Sequence, residues 1–285
     1  LTDSWDTAVT PFELRLGDHA FQAYSAGPRT GELVLLLHGF PEFADSWGPA
    51  LPALGAAGYH AVAVDQRGYS PGARPEPVAA YAVPELVADV LGFAEALGAE
   101  RFHLLAHDWG GLVAWALAAR HPERLRTLAV LSTPHPAALH EALGLANDQA
   151  ERSRYVQLFR APDHAAERVL LAEEAAALRG AYRGHLPEEQ VTRNVERLVA
   201  GALTGGLNWY RAVEGTLRVE AGPVTVPTLY VWGTEDQALG RDAAELTAKY
   251  VEGPYRFLAL DGASHWLPEC DHDRYLPAVL AHLAT

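Results

Sequence analysis

Short apolar runs alternate with helix-like segments along most of this 285-residue chain, and the alternation is interrupted by one long stretch. That rhythm constrains the fold more than any other feature. Phe12–Leu16 and Ala20–Ala26 flank a Gly-Asp turn and predict a starting hairpin. Leu33–Leu37, Ala61–Val64, Phe102–Ala106 and Leu125–Leu131 are apolar without clean alternation, which suits strands buried on both faces. Thr228–Trp232 and Tyr255–Leu260 follow later. Helical patterns lie between most of these runs: Ser46–Ala57, Pro84–Leu97, Gly111–Arg120, Arg241–Tyr250 and Arg274–Leu283. Strand alternating with helix predicts an α/β fold, a mostly parallel central sheet with helices on both faces.

From about Pro134 to Gly222 the pattern is helix after helix: Ala137–Leu143, Asp148–Phe159, Asp163–Ala181, Pro187–Ala200 and Leu207–Glu220. The simplest account is a helical insertion into one α/β domain. The chain then divides into a first core part at 1–133, a helical cap at 134–222 and a second core part at 223–285. Ligands of open α/β sheets bind at the carboxyl ends of the strands, so an insertion leaving there covers the site as a lid.

Composition narrows the partners. Hydrophobic residues make up 49%, enough for a large core. Lys and Arg total 22 against 36 Asp and Glu, a net charge of −14 that repels nucleic acid and anionic membrane surfaces. No stretch is long and apolar enough to cross a bilayer, and the opening LTDSWDTAVT lacks the basic start and apolar run of a signal peptide. Cys270 is the one cysteine, which excludes an intramolecular disulfide and any Cys-based zinc cluster and fits a reducing compartment. A cytoplasmic monomer or homodimer is the expectation. There is no Met, even at position 1, so either the natural start is absent or the numbering begins inside the natural chain. No metal-ligand spacing and no glycine-rich phosphate loop occurs, so no cofactor is expected.

The strongest local signal is Ala106-His107-Asp108-Trp109-Gly110-Gly111. It follows an apolar strand and opens a helix, with small residues at Ala106 and Gly110. Asp108 reads either as a helix N-cap or as a nucleophile on a sharp strand-to-helix turn, where serine is the usual residue. The surrounding strand and the glycines favour the second.

Five motifs in order give the chain its resemblance to the α/β-hydrolase superfamily and, within it, to the epoxide hydrolases. His38-Gly39-Phe40-Pro41 looks like the family's oxyanion loop, and Asp65-Gln66-Arg67-Gly68-Tyr69-Ser70 like its next turn. His107-Asp108-Trp109-Gly110-Gly111 looks like the nucleophile motif, Trp232-Gly233-Thr234-Glu235-Asp236 like the acid loop, and Gly262-Ala263-Ser264-His265-Trp266 like the histidine loop. The resemblance implies Asp108 as nucleophile, Asp236 as acid and His265 as histidine, in the chain order this fold requires. Glu235 and Asp261 compete for the acid role; the family pattern selects Asp236. Backbone N–H groups of Phe40 and Trp109 are the implied oxyanion donors.

A carboxylate with a pKa of about 3.9 is ionised at neutral pH and attacks without a base. It suits displacement at a carbon bearing a strained oxygen or a halide, giving an alkyl ester of Asp108. Hydrolysis of that ester needs a base, His265 oriented by Asp236. Two tyrosines in the insertion, Tyr155 before Val156-Gln157-Leu158-Phe159 and Tyr210 in Asn208-Trp209-Tyr210-Arg211, look like the lid tyrosines of epoxide hydrolases. Phe40, Trp109, Trp209, Trp266 and, less strongly, His135 are candidate substrate contacts, implying small apolar or aryl epoxides. His38 is expected to order the oxyanion loop rather than transfer protons. Two alternatives stand beside this reading. A haloalkane dehalogenase would use the same Asp with Trp N–H donors, and a non-catalytic binding protein would keep the pocket alone.

Overall fold

The apolar runs pair into one eight-stranded sheet, ordered β1-β2-β4-β3-β5-β6-β7-β8, in a computed structural model that describes residues 8–182, 184–213 and 218–285. The strands are β1 Thr10–Leu16, β2 His19–Ala26, β3 Leu33–Leu37, β4 His60–Val64, β5 Phe102–His107, β6 Leu125–Leu131, β7 Thr228–Gly233 and β8 Tyr255–Leu260. The expected hairpin forms, with Leu16 opposite His19, and β2 runs antiparallel to β4. The remaining pairings are parallel.

The parallel strands are apolar throughout because both faces are covered. In β3, Leu33, Leu35 and Leu37 enter one core while Val34 and Leu36 enter the other. A side-chain period of two divides a single apolar run between two layers. The helices before the insertion are α1 Ala50–Ala56, α2 Val83–Ala96 and α3 Trp109–Arg120. The insertion carries α4 Pro136–Leu143, α5 Gln149–Arg152, α6 Tyr155–Phe159, α7 Ala165–Ala181, α8 Glu188–Arg197 and α9 Leu203–Arg211. After it come α10 Arg241–Leu246, α11 Leu267–Cys270 and α12 His272–Leu283. Helices α2 and α3 cover the face of Leu35, and α1 and α12 cover the face of Leu36.

Several helices differ from the periodicity. The segment expected to run from Ser46 starts as a 3-10 turn at Ala44–Trp47, and α1 begins only after Gly48-Pro49. Asp148–Phe159 is two short helices, α5 and α6, rather than one. Helix α7 is kinked over Ala172–Ala175, three of whose residues have positive φ. The last inserted helix ends at Arg211 and not Glu220; Arg218–Glu220 belong to no helix or strand, and 214–217 lie outside the described residues, as do 1–7 of the opening segment. These local breaks carry no strong punctuation in an Ala-rich sequence, so tertiary contacts decide them.

The insertion docks over the carboxyl ends of the strands through polar anchors. Trp209 Nε1 donates to Arg67 O at 2.9 Å, Tyr182 Oη to Pro41 O at 2.7 Å, and Arg74 Nη1 to Ala200 O at 3.0 Å. Arg197 on α8 pairs with Asp45 at 3.2 Å and with the fully buried Asp65. Removing one partner of such a pair leaves a buried charge uncompensated. Arg197→Met should therefore destabilise the protein by about 3 kcal/mol, read as a lower urea midpoint. A midpoint equal to the parent's would show that Asp65 needs no counter-charge from the insertion.

Candidate active site

Strand β5 delivers Asp108 to the end of the sheet, and α3 starts immediately after it. The turn between them is tight: Asp108 has φ 48° and ψ −120°, and its side chain makes no capping bond to α3. A non-glycine residue held there costs about 1–3 kcal/mol. Two glycines make room for it. A Cβ at Gly110 would lie 2.5 Å from Leu37 O, and a Cβ at Gly39 would lie 2.3 Å from Asp108 Cβ and Oδ1. The oxyanion loop can thus press directly against the carboxylate.

That contact fixes one carboxylate oxygen. Phe40 N–H donates to Asp108 Oδ1 at 2.8 Å. Trp109 is the first residue of α3, so its N–H has no partner within the helix. The other oxygen, Oδ2, faces His265 Nε2 at 3.6 Å. His265 Nδ1 bonds Asp236 Oδ2 at 2.8 Å, and Asp236 Oδ1 accepts from the Ala238 and Leu239 amides at 2.8 and 2.9 Å. Asp108, His265 and Asp236, which come from the ends of three separate strands, therefore form one chain of contacts. Glu235 and Asp261, the rival carboxylates, are exposed.

The electrostatics follow from that chain. Burial alone would push the His265 pKa down, but the Asp236 and Asp108 carboxylates on either side outweigh it and hold the imidazole well above its usual value. Burial would raise Asp108; the His265 contact, His107 and the Phe40 N–H outweigh it and keep it below the usual carboxylate range. The two shifts run in opposite directions and each favours the charged form of its group.

A cavity of about 300 Å³ opens above Asp108. Tyr155 from α6 and Tyr210 from α9 line it together with Asp108 and His265. Burial, reinforced by the Asp108 charge, pushes both phenols upward. Both are O–H donors at neutral pH. Phe40, Phe159 and Trp266 give the cavity its apolar wall. Tyr210 packs edge-on against Phe40, Phe159 and Trp109 at ring separations of 5.6, 5.0 and 4.9 Å.

Three proposed substrate contacts are corrected. Trp209 lies behind Tyr210, between Trp109 and Tyr69, with its N–H spent on the Arg67 carbonyl. The Trp109 ring fills the same layer and supports Tyr210 rather than lining the cavity. His135 stacks on Tyr250 at 5.0 Å, accepts from Ala137 N–H and contacts Gly222 O at 3.2 Å, away from Asp108. It caps α4. Alternation of strand and helix places such residues near a site but cannot say which way each ring turns. His38 is buried, with ring contacts to Gly39 O and Gln66 N–H, so it braces the oxyanion loop.

The sequence alone assigned no role to two neighbours, one adjoining a quoted motif and the other inside one. Glu42 follows Pro41, and His107 precedes Asp108. Both are fully buried, and His107 Nδ1 lies 2.9 Å from Glu42 Oε2 while its Nε2 lies 2.9 Å from His265 O. Burial and the nearby Glu42 push the carboxyl of Glu269, on α11, upward. Burial would also raise Glu42, but His107 outweighs it and holds it below the usual carboxylate range. Alternation of apolar residues gives no sign of this cluster, because its members come from a loop, the end of β5 and α11. No helix among the described residues is long and apolar enough to cross a membrane.

The family described as alpha/beta hydrolase fold matches residues 32–269. The chain is 35% identical to epoxide hydrolase A of Mycobacterium tuberculosis, covering 86% of this chain and 88% of that protein. It is also 35% identical to the AB hydrolase superfamily protein YfhM of Bacillus subtilis, over 91% of each. Among solved structures, epoxide hydrolase A from Mycobacterium thermoresistibile superposes with a TM-score of 0.83 at 30% identity, covering 97% of this chain and 98% of that one. The Bacillus megaterium epoxide hydrolase in complex with an inhibitor gives 0.86 at 25% identity, covering 96% of this chain and 100% of that one. On the sheet, the insertion and these relatives, the chain belongs to the α/β hydrolase superfamily and, within it, to the epoxide hydrolase family.

Proposed function

We propose that the protein hydrolyses a small apolar or aryl epoxide to a vicinal diol through a covalent ester on Asp108, with residues 134–222 acting as the cap over the reaction. The observation that carries this reading is one cavity lined by Asp108, His265, Tyr155 and Tyr210 together.

In the first step Asp108 Oδ2 attacks an epoxide carbon and the C–O bond of the ring breaks. The electron pair goes to the epoxide oxygen, which takes a proton from Tyr155 or Tyr210. Their O–H groups stabilise charge that exists only as the ring opens, which is where stabilisation lowers a barrier. Ester formation neutralises Asp108. One of the two carboxylates holding His265 charged is then gone, so the imidazole gives up its proton, which restores the phenol of the tyrosinate left by ring opening, and becomes a base. In the second step His265 takes a proton from water, and the hydroxide adds to Cγ of Asp108. The oxyanion forms on Oδ1, which already receives the Phe40 N–H; Trp109 N–H is the second donor. Collapse breaks the bond from Cγ to the substrate-bearing oxygen, which takes the proton of the added hydroxide and leaves as the diol, restoring the Asp108 carboxylate. Asp236 keeps His265 in orientation throughout.

The single cysteine fits a reducing compartment such as the cytoplasm, and the diol-forming reaction suits detoxification or a step of biosynthesis. Of the indole donors that the halide alternative would use, Trp209 has its N–H committed to Arg67 O, whereas the N–H of Trp266, on the cavity wall, has no protein partner among the described residues.

The test is Tyr155→Phe combined with Tyr210→Phe. Loss of the general acid should lower diol formation from styrene oxide by about 10²–10⁴-fold. The parent should release no halide from 1-chlorohexane. Halide release, with the doubly substituted protein as active as the parent, would replace this reading with dehalogenation.

A further inference from the structure

We infer that Gln149 and Arg152, on the short helix α5 of the insertion, are positioning residues for Asp236, so that docking of the insertion sets the geometry of the acid. The inference rests on the roles given above to Asp108, Asp236 and His265.

Asp236 begins the loop from β7 to α10. Its own carboxylate organises part of that loop, through Oδ1 and the amides of Ala238 and Leu239. Trp232 Nε1 holds Leu239 O at 3.0 Å. Other backbone groups of the loop are held from the insertion. Gln149 Nε2 donates to Ala238 O at 2.9 Å, and Gly240 N–H donates to Gln149 Oε1 at 2.8 Å. Arg152 Nη1 donates to Asp236 O at 2.5 Å, and its Nη2 is fixed by Asp148 Oδ2 at 2.7 Å. Gln149 is 1% exposed, so without its amide two backbone groups of the acid loop would lose partners in a buried place.

Arg152 also separates two spaces. It lines the cavity above Asp108 on one side and, on the other, a polar cleft of about 280 Å³ shared with Asp148, Gln149 and Gly240. The insertion thus does more than cover the site. The helix that precedes Tyr155 by three residues grips the loop that orients His265. A carboxylate a few tenths of an ångström out of line still lets Asp108 attack, because that step needs no base. Only the hydrolysis of the ester depends on the Asp236–His265 pair.

The experiment separates the two steps. Rapid quench with excess styrene oxide follows adduct formation by intact mass and diol release by chromatography, for the parent, Gln149→Leu, Arg152→Met and Arg152→Lys. Gln149→Leu should form the Asp108 adduct at the parental rate and hydrolyse it about 10- to 100-fold more slowly, so that adduct dominates the steady state. Arg152→Met should lower the ratio of hydrolysis to alkylation, and Arg152→Lys, which keeps a donor, should restore most of it. With the Asp236 field on His265 weakened, the acid limb of the hydrolysis step should move to lower pH. Equal slowing of both steps, or an unchanged hydrolysis rate in any of the folded variants that lacks the donor, would overturn the inference. Arg152→Met, at a half-buried position, keeps the test decisive if Gln149→Leu does not fold. A parent that forms neither adduct nor diol would overturn the epoxide reading and this inference with it; adduct in the parent with parental hydrolysis in the variants would overturn the positioning role alone.

Discussion

Asp108→Asn should lower diol formation by about 10⁴-fold or more, because it removes the atom that forms the bond. The amide is neutral and a poor nucleophile, and nothing else lining the cavity replaces it: the other titratable groups there are the Arg152 cation, His265, whose pKa its carboxylate neighbours raise, and two phenols pushed upward by burial. The fold should survive. Asp108 makes no capping bond to α3, and asparagine tolerates positive φ better than most residues. Loss of the anion should also lower the His265 pKa, since Asp108 is one of two carboxylates holding it up. The measurement is diol yield against time beside a thermal unfolding curve. A folded variant that keeps even a tenth of parental turnover from the first minute would exclude Asp108 as nucleophile. Activity that instead grows from zero over hours marks deamidation back to aspartate. An isotope readout adds to it: in a single turnover in ¹⁸O water the parent's diol should carry unlabelled oxygen from Asp108, while the label enters the protein.

His265→Gln should stop the reaction one step later. Alkylation needs no base, so the variant should consume about one equivalent of epoxide and then stall as the ester. Intact mass should rise by the mass of the epoxide, and a digest should place the adduct on the peptide containing Asp108. Steady-state diol formation should fall by about 10³–10⁴-fold, the scale for removing one member of a cooperating triad. The sign of the pH dependence separates the roles further. In the parent, ester hydrolysis requires neutral His265 and so falls as pH drops through the pKa of the imidazole in the ester. That pKa lies below the resting enzyme's, because the ester no longer contributes the Asp108 charge. A folded His265→Gln protein that shows no mass increase, yet leaves epoxide untouched, would mean that His265 is needed before the ester forms.

Much of this architecture was legible because it rests on short-range rules. An all-apolar five-residue run such as Leu33–Leu37 can only be buried on both faces, and its pleat sends Leu35 and Leu36 to opposite cores. Asp108 was legible for a similar reason. A strand that must turn at once into a helix needs small neighbours, and Gly110 is where a Cβ would strike Leu37 O. Less legible were the helix breaks in the insertion. In α7 the periodicity runs through a kink at Ala172–Ala175 that no proline or glycine announces.

Side-chain direction lay beyond the sequence altogether. Adjacent residues of α9 show why: Trp209 turns back to Arg67 O, while Tyr210 turns into the cavity, and both belong to the same aromatic motif. His135 and Trp109 were assigned to the substrate by nearness in the chain and are used instead to cap a helix and support a tyrosine. Glu42, His107 and Glu269 form a cluster from a loop, the end of β5 and α11, and Gln149, near the start of the insertion, reaches the acid loop across all the rest of it. By itself the sequence determined which elements form, which carboxylate sits at the sharp turn and the order of the chemical groups along the chain, because periodicity and turn chemistry act over a few residues. The tertiary structure alone decided which of those groups meet, since their charge, protonation and orientation depend on partners that the sheet brings together from distant parts of the chain.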